Sequence, residues 1–362
     1  MRRLTALLGA LALLVVGVLG VRALASPTTV ADVGFPRCAG PMVGAQVHAI
    51  WSDVDSESRA EILDGMVELG VRTVRIDVSW AQLEPVQFEY DQEAVDRLQR
   101  VVDQVTERGL DPLVMLWLTP GWANSDRGER VPPSDPIAYG QIMAWAVQRF
   151  PEVRDWQVWN EPNSEDFLVG ADPVAYAGLL EEAFHQAHRA RGDVRIIFGG
   201  TSYQDTSWIE QVYAAGAHGH FDVMSTHAYQ AVGDEPPELE AASGEDSQYR
   251  LRGVEAVREL MVANGDARVP VWFTEFGWSA FDSPEDATGT DRGVTEAEQA
   301  DYLVRALRLM REEYPYVERA YWYNARDRDS GDERIDSFGL LRRDLTPKPV
   351  AEALTDYLRG CG

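Results

Sequence analysis

The chain has 362 residues, 45% of them hydrophobic, with 59 acidic against 33 basic side chains and a formal net charge of −26. That length suits one large domain or two ordinary ones, with enough apolar residues for a sizeable core. The charge repels a phosphate backbone, which excludes nucleic acid as an expected partner, and it disfavours a strongly anionic substrate.

The N-terminus stands apart. Arg2 and Arg3 precede an uncharged run from Leu4 to Val21, and Ala23-Leu24-Ala25 supplies an A-x-A cleavage pattern. Residues 1–25 therefore read as a signal peptide. The run is also just long enough to cross a bilayer, so a retained membrane anchor through residues 4–21 is the alternative. Either reading exports the rest of the chain to the extracellular space or cell surface. Residues 26–40 read as a short linker and 41–362 as a single domain. The two cysteines, Cys38 and Cys361, bracket that domain. In an oxidising compartment they read as a disulfide, with two unpaired thiols as the alternative.

Within the domain, short β-rich runs alternate with amphipathic helical stretches. The expected strands are Val43–His48, Thr73–Val78, Leu113–Leu118, Asp155–Trp159, Arg195–Phe198, Phe221–Thr226, Val269–Thr274 and Arg319–Tyr323. In "SRAEILDGMVELG", Ile62, Met66 and Leu69 share a helix face. In "DQEAVDRLQRVVDQVTERG", Val95, Leu98, Val102 and Val105 do, and Gly109 reads as a C-cap. "DPVAYAGLLEEAFHQAHRARG" and "EAEQADYLVRALRLMREEY" are further helices. Eight strands alternating with helices predict an α/β fold, a (β/α)8 TIM barrel. The competing open doubly wound sheet wants a Gly-rich phosphate loop after an early strand, and the sequence has neither G-x-G-x-x-G nor a P-loop. The long segments follow strands, so they fall on the C-terminal face, where barrel active sites sit. The same topology makes Cys38 and Cys361 neighbours at the opposite face.

Two glutamates occupy matched positions. Glu161 ends strand four in "VWNEPN", and Glu275 ends strand seven in "VWFTEFGW". Alone, the first reads as a turn residue and the second as half of a structural ion pair. Together, at one barrel mouth, they form the carboxylate pair that glycosidic cleavage needs, one protonating the leaving oxygen while the other attacks or activates water. Arg75 on strand two is out of phase with Val74, Ile76 and Val78, so it points into the barrel. A buried Arg needs an anion. Glu275 is the candidate, with Asp77 as the alternative.

These motifs resemble glycoside hydrolase clan A, the retaining barrels with an acid/base on strand four and a nucleophile on strand seven. The nearest likeness is to families 39 and 5. "GVRTVRIDVSWAQLEP", "STHAY", "YWYNARD" and "FGLLRRDLTPKPVAEAL" extend the resemblance over roughly Met42 to Leu358. It implies Glu161 as acid/base, Glu275 as nucleophile, a β-linked carbohydrate substrate and no cofactor. It further implies a Tyr229 hydrogen bond to Glu275, and Asn160 as donor to a sugar 2-hydroxyl. His48 and His227 would contact substrate, the alternative being hydrogen-bonded barrel histidines. Trp322 would be the platform under the sugar, with Trp122, Trp80 and Trp278 as further groove candidates; for each the alternative is core packing.

No catalytic metal is expected. His185 and His188, or His218 and His220, lack a motif such as H-E-x-x-H, and the helix pair reads as solvated. A monomer is expected. Three rivals stay open: a transglycosylase with the same residues, a non-catalytic carbohydrate-binding barrel and a metal-dependent barrel hydrolase.

Overall fold

The computed structural model describes residues 40–48, 55–243 and 245–360. Cys38, Cys361 and the segment 4–21 lie outside the described residues, as does the proposed boundary at residue 25. No helix among the described residues is long and apolar enough to cross a membrane.

Among the described residues, nine parallel strands form one sheet. They are β1 Met42–Gln46, β2 Thr73–Ser79, β3 Asp111–Trp117, β4 Asp155–Val158, β5 Arg195–Ile197, β6 Thr201–Ser202, β7 Met224–His227, β8 Val271–Phe276 and β9 Val317–Trp322. The sheet order is β5-β4-β3-β2-β1-β9-β8-β7-β6. Its two ends, β5 and β6, are consecutive in the chain. They share the fifth barrel position, split around Gly199-Gly200. The ring closes where Ile197 bridges Val223 in parallel, with Phe198 N donating to Val223 O at 2.9 Å and Asp222 N to Ile196 O at 2.8 Å. The fold is the (β/α)8 barrel expected from the sequence. All eight expected strands form, with shifted ends.

The helices follow from their periodicity and caps. Ser56–Glu68 buries Ile62, Leu63 and Met66, and Gln92–Thr106 buries Val95, Leu98, Val101, Val102 and Val105. Helices Pro136–Arg149, Pro173–Ala190, Thr206–Ala214, Val254–Ala263, Glu296–Glu313 and Pro349–Gly360 complete the outer layer. Some of the acidic residues sit at helix starts. Asp55, Asp91, Asp135, Asp172 and Asp205 each cap a helix by accepting a first-turn amide hydrogen bond, which satisfies donors the helix itself cannot. Thr295 and Glu298 form a capping box.

Inside the barrel, side chains stack in layers. At the N-terminal end Asp155 takes a bidentate pair from Arg195 at 2.7 and 2.8 Å and a contact from Arg319 at 3.0 Å. Above it, Leu113, Ile197, Val223, Trp272 and Tyr321 form a buried apolar plug. Gly44 belongs to this layer because nothing larger fits: a Cβ there would run into the Tyr321 ring and stand 2.8 Å from Thr73 Cγ2. The plug is the floor on which the polar site rests.

Candidate active site

The layer above the plug is polar and centred on Arg75, whose side chain is 1% exposed. Its guanidinium meets a full set of acceptors. Nε donates to Gln157 Oε1 at 2.8 Å, Nη1 to Gln46 Oε1 at 2.8 Å and Glu275 Oε1 at 2.6 Å, and Nη2 to Asn160 Oδ1 at 2.8 Å. A buried cation is tolerable only with such satisfaction. The expected partner is therefore in contact, and the alternative, Asp77, instead accepts from Gln46 Nε2 at 3.3 Å and sits 3.2 Å from His48 Nδ1.

A register break aims Glu275. Strand alternation from inward Trp272 and Thr274 would turn Glu275 outward. The pairing shifts between Thr226 and His227 and between Phe273 and Phe276. Thr274 still faces inward, accepting from Gln157 Nε2 at 3.0 Å, and the next residue faces the interior as well. Re-aiming a side chain is what a bulge near a site does. Tyr229 Oη then donates to Glu275 Oε2 at 2.9 Å. Burial works to raise the Glu275 pKa. The His227 and Arg75 charges and the Tyr229 hydrogen bond outweigh it, and the carboxyl lies below its ordinary value.

Glu161 stands beyond the end of β4, not on it. Trp159 and Glu161 have φ of 72° and 41°, a left-handed geometry that costs about 1–3 kcal/mol per non-glycine residue. The turn is held in place by several bonds. Glu161 N donates to Gly200 O at 3.0 Å and Trp159 N to Leu116 O at 3.0 Å, while Trp159 Nε1 donates to Phe167 O at 3.0 Å. The result puts the carboxylate 2.7 Å from His227 Nδ1, which is also 3.6 Å from Glu275 Oε2. Carboxylate oxygens of Glu161 and Glu275 and a His227 ring nitrogen lie within 4.8 Å of one another. His227 Nδ1 and Glu161 Oε1 are thus within hydrogen-bonding distance.

A cavity of about 830 Å³ opens over both carboxylates, bordered by His48, Asp77, Trp117, Asn160, Phe167 and Tyr323. Because Asn160 Oδ1 is taken by Arg75, its amide nitrogen is the end left to donate into that space.

Several expected substrate contacts are placed elsewhere. Trp322 is not a platform. It is fully buried, its ring edge-on to Phe276 at 5.3 Å and its Nε1 donating to Phe338 O at 2.8 Å. Strand alternation sends Trp322 to the helix side and the next residue, Tyr323, to the cavity. Trp122 packs edge-on against Trp80 at 5.6 Å and donates to Glu84 O at 2.9 Å; Trp80 is core, and neither borders the cavity. His227 is fully buried and touches the two carboxylates rather than the open space. His48 does border the cavity. Trp278 is buried and borders a second cavity of about 350 Å³ beside Tyr229.

Gln46, Gln157, Trp117, Phe167 and Tyr323 were not singled out from the sequence. The glutamines carried a signal, since each interrupts an apolar strand at an inward position. Phe167 carried none, because it reaches the mouth from a loop.

Residues 35–326 match the family model described as cellulase, glycosyl hydrolase family 5. A β-xylosidase of Caldicellulosiruptor saccharolyticus is 25% identical over 207 residues, which cover 51% of this chain and 40% of that protein. A family 39 glycoside hydrolase from the gut symbiont Bacteroides cellulosilyticus WH2 superposes with a TM-score of 0.71 at 23% identity, covering 89% of this chain and 64% of the other. A GH5_18 structure from Streptomyces cattleya in complex with GlcNAc superposes with a TM-score of 0.66 at 19% identity, covering 89% and 80%. The chain thus spans less than two thirds of the xylosidase and of the family 39 enzyme. These structures share its fold, and the match over most of its length shows that the chain belongs to the cellulase family, glycosyl hydrolase family 5.

Proposed function

We propose that the chain is a retaining glycosidase that hydrolyses a β-linked oligo- or polysaccharide by double displacement. One observation carries this reading: carboxylate oxygens of Glu161 and Glu275 lie within 4.8 Å of each other at the floor of one cavity. Retaining enzymes hold their carboxyl groups ~5–5.5 Å apart, whereas inverting ones need ~6.5–9.5 Å to seat a water between them.

In the first step Glu275 attacks the anomeric carbon while Glu161 gives its proton to the leaving oxygen, so the glycosidic C–O bond breaks as the glycosyl–enzyme bond forms. In the second, Glu161 takes a proton from water, whose oxygen attacks the same carbon and releases Glu275. Arg75 and Tyr229 keep Glu275 ionised and oriented. Asn160 is placed to donate to a sugar hydroxyl, a bond that strengthens as the oxocarbenium-like transition state develops. Tyr323 offers the aromatic face that Trp322 does not.

Export rests on the leader in residues 1–25, with cleavage proposed over a retained tether, and action as a monomer is part of the same proposal. The test is a screen of β-linked plant and cell-wall glycans, with proton NMR of the first-formed anomer and Glu275→Ala as control. A β-anomer released by the parent chain and absent with Glu275→Ala is expected. An α-anomer from a β-linked substrate overturns the retaining mechanism, and activity that survives Glu275→Ala overturns the site.

A further inference from the structure

Of the six histidines, four pair with a carboxylate: His48 with Asp77 at 3.2 Å, His188 with Asp222 at 2.9 Å, His218 with Asp266 at 3.1 Å and His227 with Glu161 at 2.7 Å. The remaining two face each other. The rings of His185 and His220 meet edge to face with centroids 4.8 Å apart. Glu181 joins them, and one ligand atom from each of the three lies within 4.8 Å of the others. His220 Nδ1 is buried with no hydrogen-bond partner among the described residues.

We propose that Glu181, His185 and His220 form a binding site for a divalent cation of the zinc type. Glu181 and His185 sit four residues apart on the helix Pro173–Ala190, the spacing that puts two side chains on one face, one turn apart. His220 comes from the loop between the helix Thr206–Ala214 and β7. Two imidazoles and a carboxylate are a set that Zn²⁺ accepts at about 2.0–2.2 Å per bond. Ligand atoms within 4.8 Å of one another already converge on one point, and exposure of Glu181 and His185 leaves a coordination position for water. Phe184 lies against both rings, 5.8 Å from His185 and 6.1 Å from His220, giving the site one apolar wall. In the cluster of Glu161, His227 and Glu275, by contrast, the Arg75 cation already occupies Glu275 at 2.6 Å and repels a second cation.

The position sets the role. A loop that leads from a helix into a barrel strand lies at the face opposite the catalytic mouth. The cation would tie the helix after β4 to the entry of β7, so it acts as a clasp on the outer wall, independent of glycoside cleavage.

The test is titration of the untagged full chain, stripped of metal, with Zn²⁺ against a chromophoric chelator and by calorimetry. One equivalent is expected, lost at least tenfold in affinity in His185→Ala and in His220→Ala, and retained in Glu161→Gln. Saturating Zn²⁺ should raise the Tm of the parent chain and leave that of His185→Ala unmoved, and chelation should leave glycosidase activity unchanged. Absence of binding to the parent chain overturns the proposal. So does an equivalent that survives both histidine variants, or one lost in Glu161→Gln.

Discussion

Arg75 Nη1 and Glu275 Oε1 are 2.6 Å apart although 200 residues separate them in the chain. The contact joins the second and seventh barrel positions across the floor of the cavity. The pair is almost fully buried, and together with His227 and Tyr229 it holds the carboxyl of the proposed nucleophile below its ordinary value against the opposing effect of burial. Replacing Arg75 with Met leaves Glu275 buried without its cation, a change that typically costs about 3–5 kcal/mol. The urea midpoint should fall accordingly, and the acid limb of kcat/KM should move to higher pH. An unmoved acid limb would mean that Arg75 only braces the barrel.

The sign of the Glu275 shift makes a separate forecast. Its folded pKa lies below the ordinary value of 4.5. The charged form therefore contributes stability that is present above the unfolded value and lost as pH falls through the folded one. Parent and Glu275→Gln should differ in denaturant midpoint at pH 6, and the gap should shrink steadily below pH 4.5. A gap that widens on acidification would reverse the assigned direction.

Glu161→Gln keeps the shape of the acid and removes its proton. General acid–base assistance is worth about 10²–10⁴-fold, so kcat on an unactivated glycoside should fall by that range. A substrate with an activated phenol leaving group should lose much less in its first step, since it departs without protonation. Equal losses on both substrates, measured by pre-steady-state phenol release, would deny the acid role.

Adjacent aromatics at the end of β9 should separate cleanly. Trp322→Ala empties a core site and should cost about 3–5 kcal/mol, visible in a denaturation curve. Tyr323→Ala should leave most of the stability and raise KM, because Tyr323 borders the cavity. The reverse pattern would restore Trp322 as the platform.

Gly200 sits behind His227. A Cβ there would meet His227 Nε2 and lie 2.6 Å from Thr274 Oγ1, while its carbonyl already holds the amide of Glu161. Gly200→Ala should displace the imidazole from Glu161 and lower kcat more than it raises KM. Overpacking of this kind costs about 1–3 kcal/mol, so the variant should remain folded at room temperature by circular dichroism. Unchanged kinetics would show that the His227–Glu161 contact is dispensable.

The barrel was legible in the sequence because its signals are local. Alternating strand and helix periodicities and long loops after strands each occupy short stretches of consecutive residues, and they agree with one another. The inward phase of Arg75 and the pairing of "WNEPN" with "TEFGW" were legible for the same reason. The resemblance misassigned Trp322, and strand alternation alone could not correct it, since it does not say which face of the last strand looks into the mouth. Alternation also gives no warning of the bulge that turns Glu275 inward or of the left-handed turn that lifts Glu161. Those depend on register with neighbouring strands and on hydrogen bonds to Gly200 and Leu116, which lie far away in the chain. The sequence by itself determined the barrel and the identity of the two carboxylates, because periodicity and motif are encoded residue by residue. Only the tertiary structure decided which aromatic faces the cavity, that His227 lies between the acids, and that His185 faces His220 rather than His188, because closure of the barrel alone brings those side chains together.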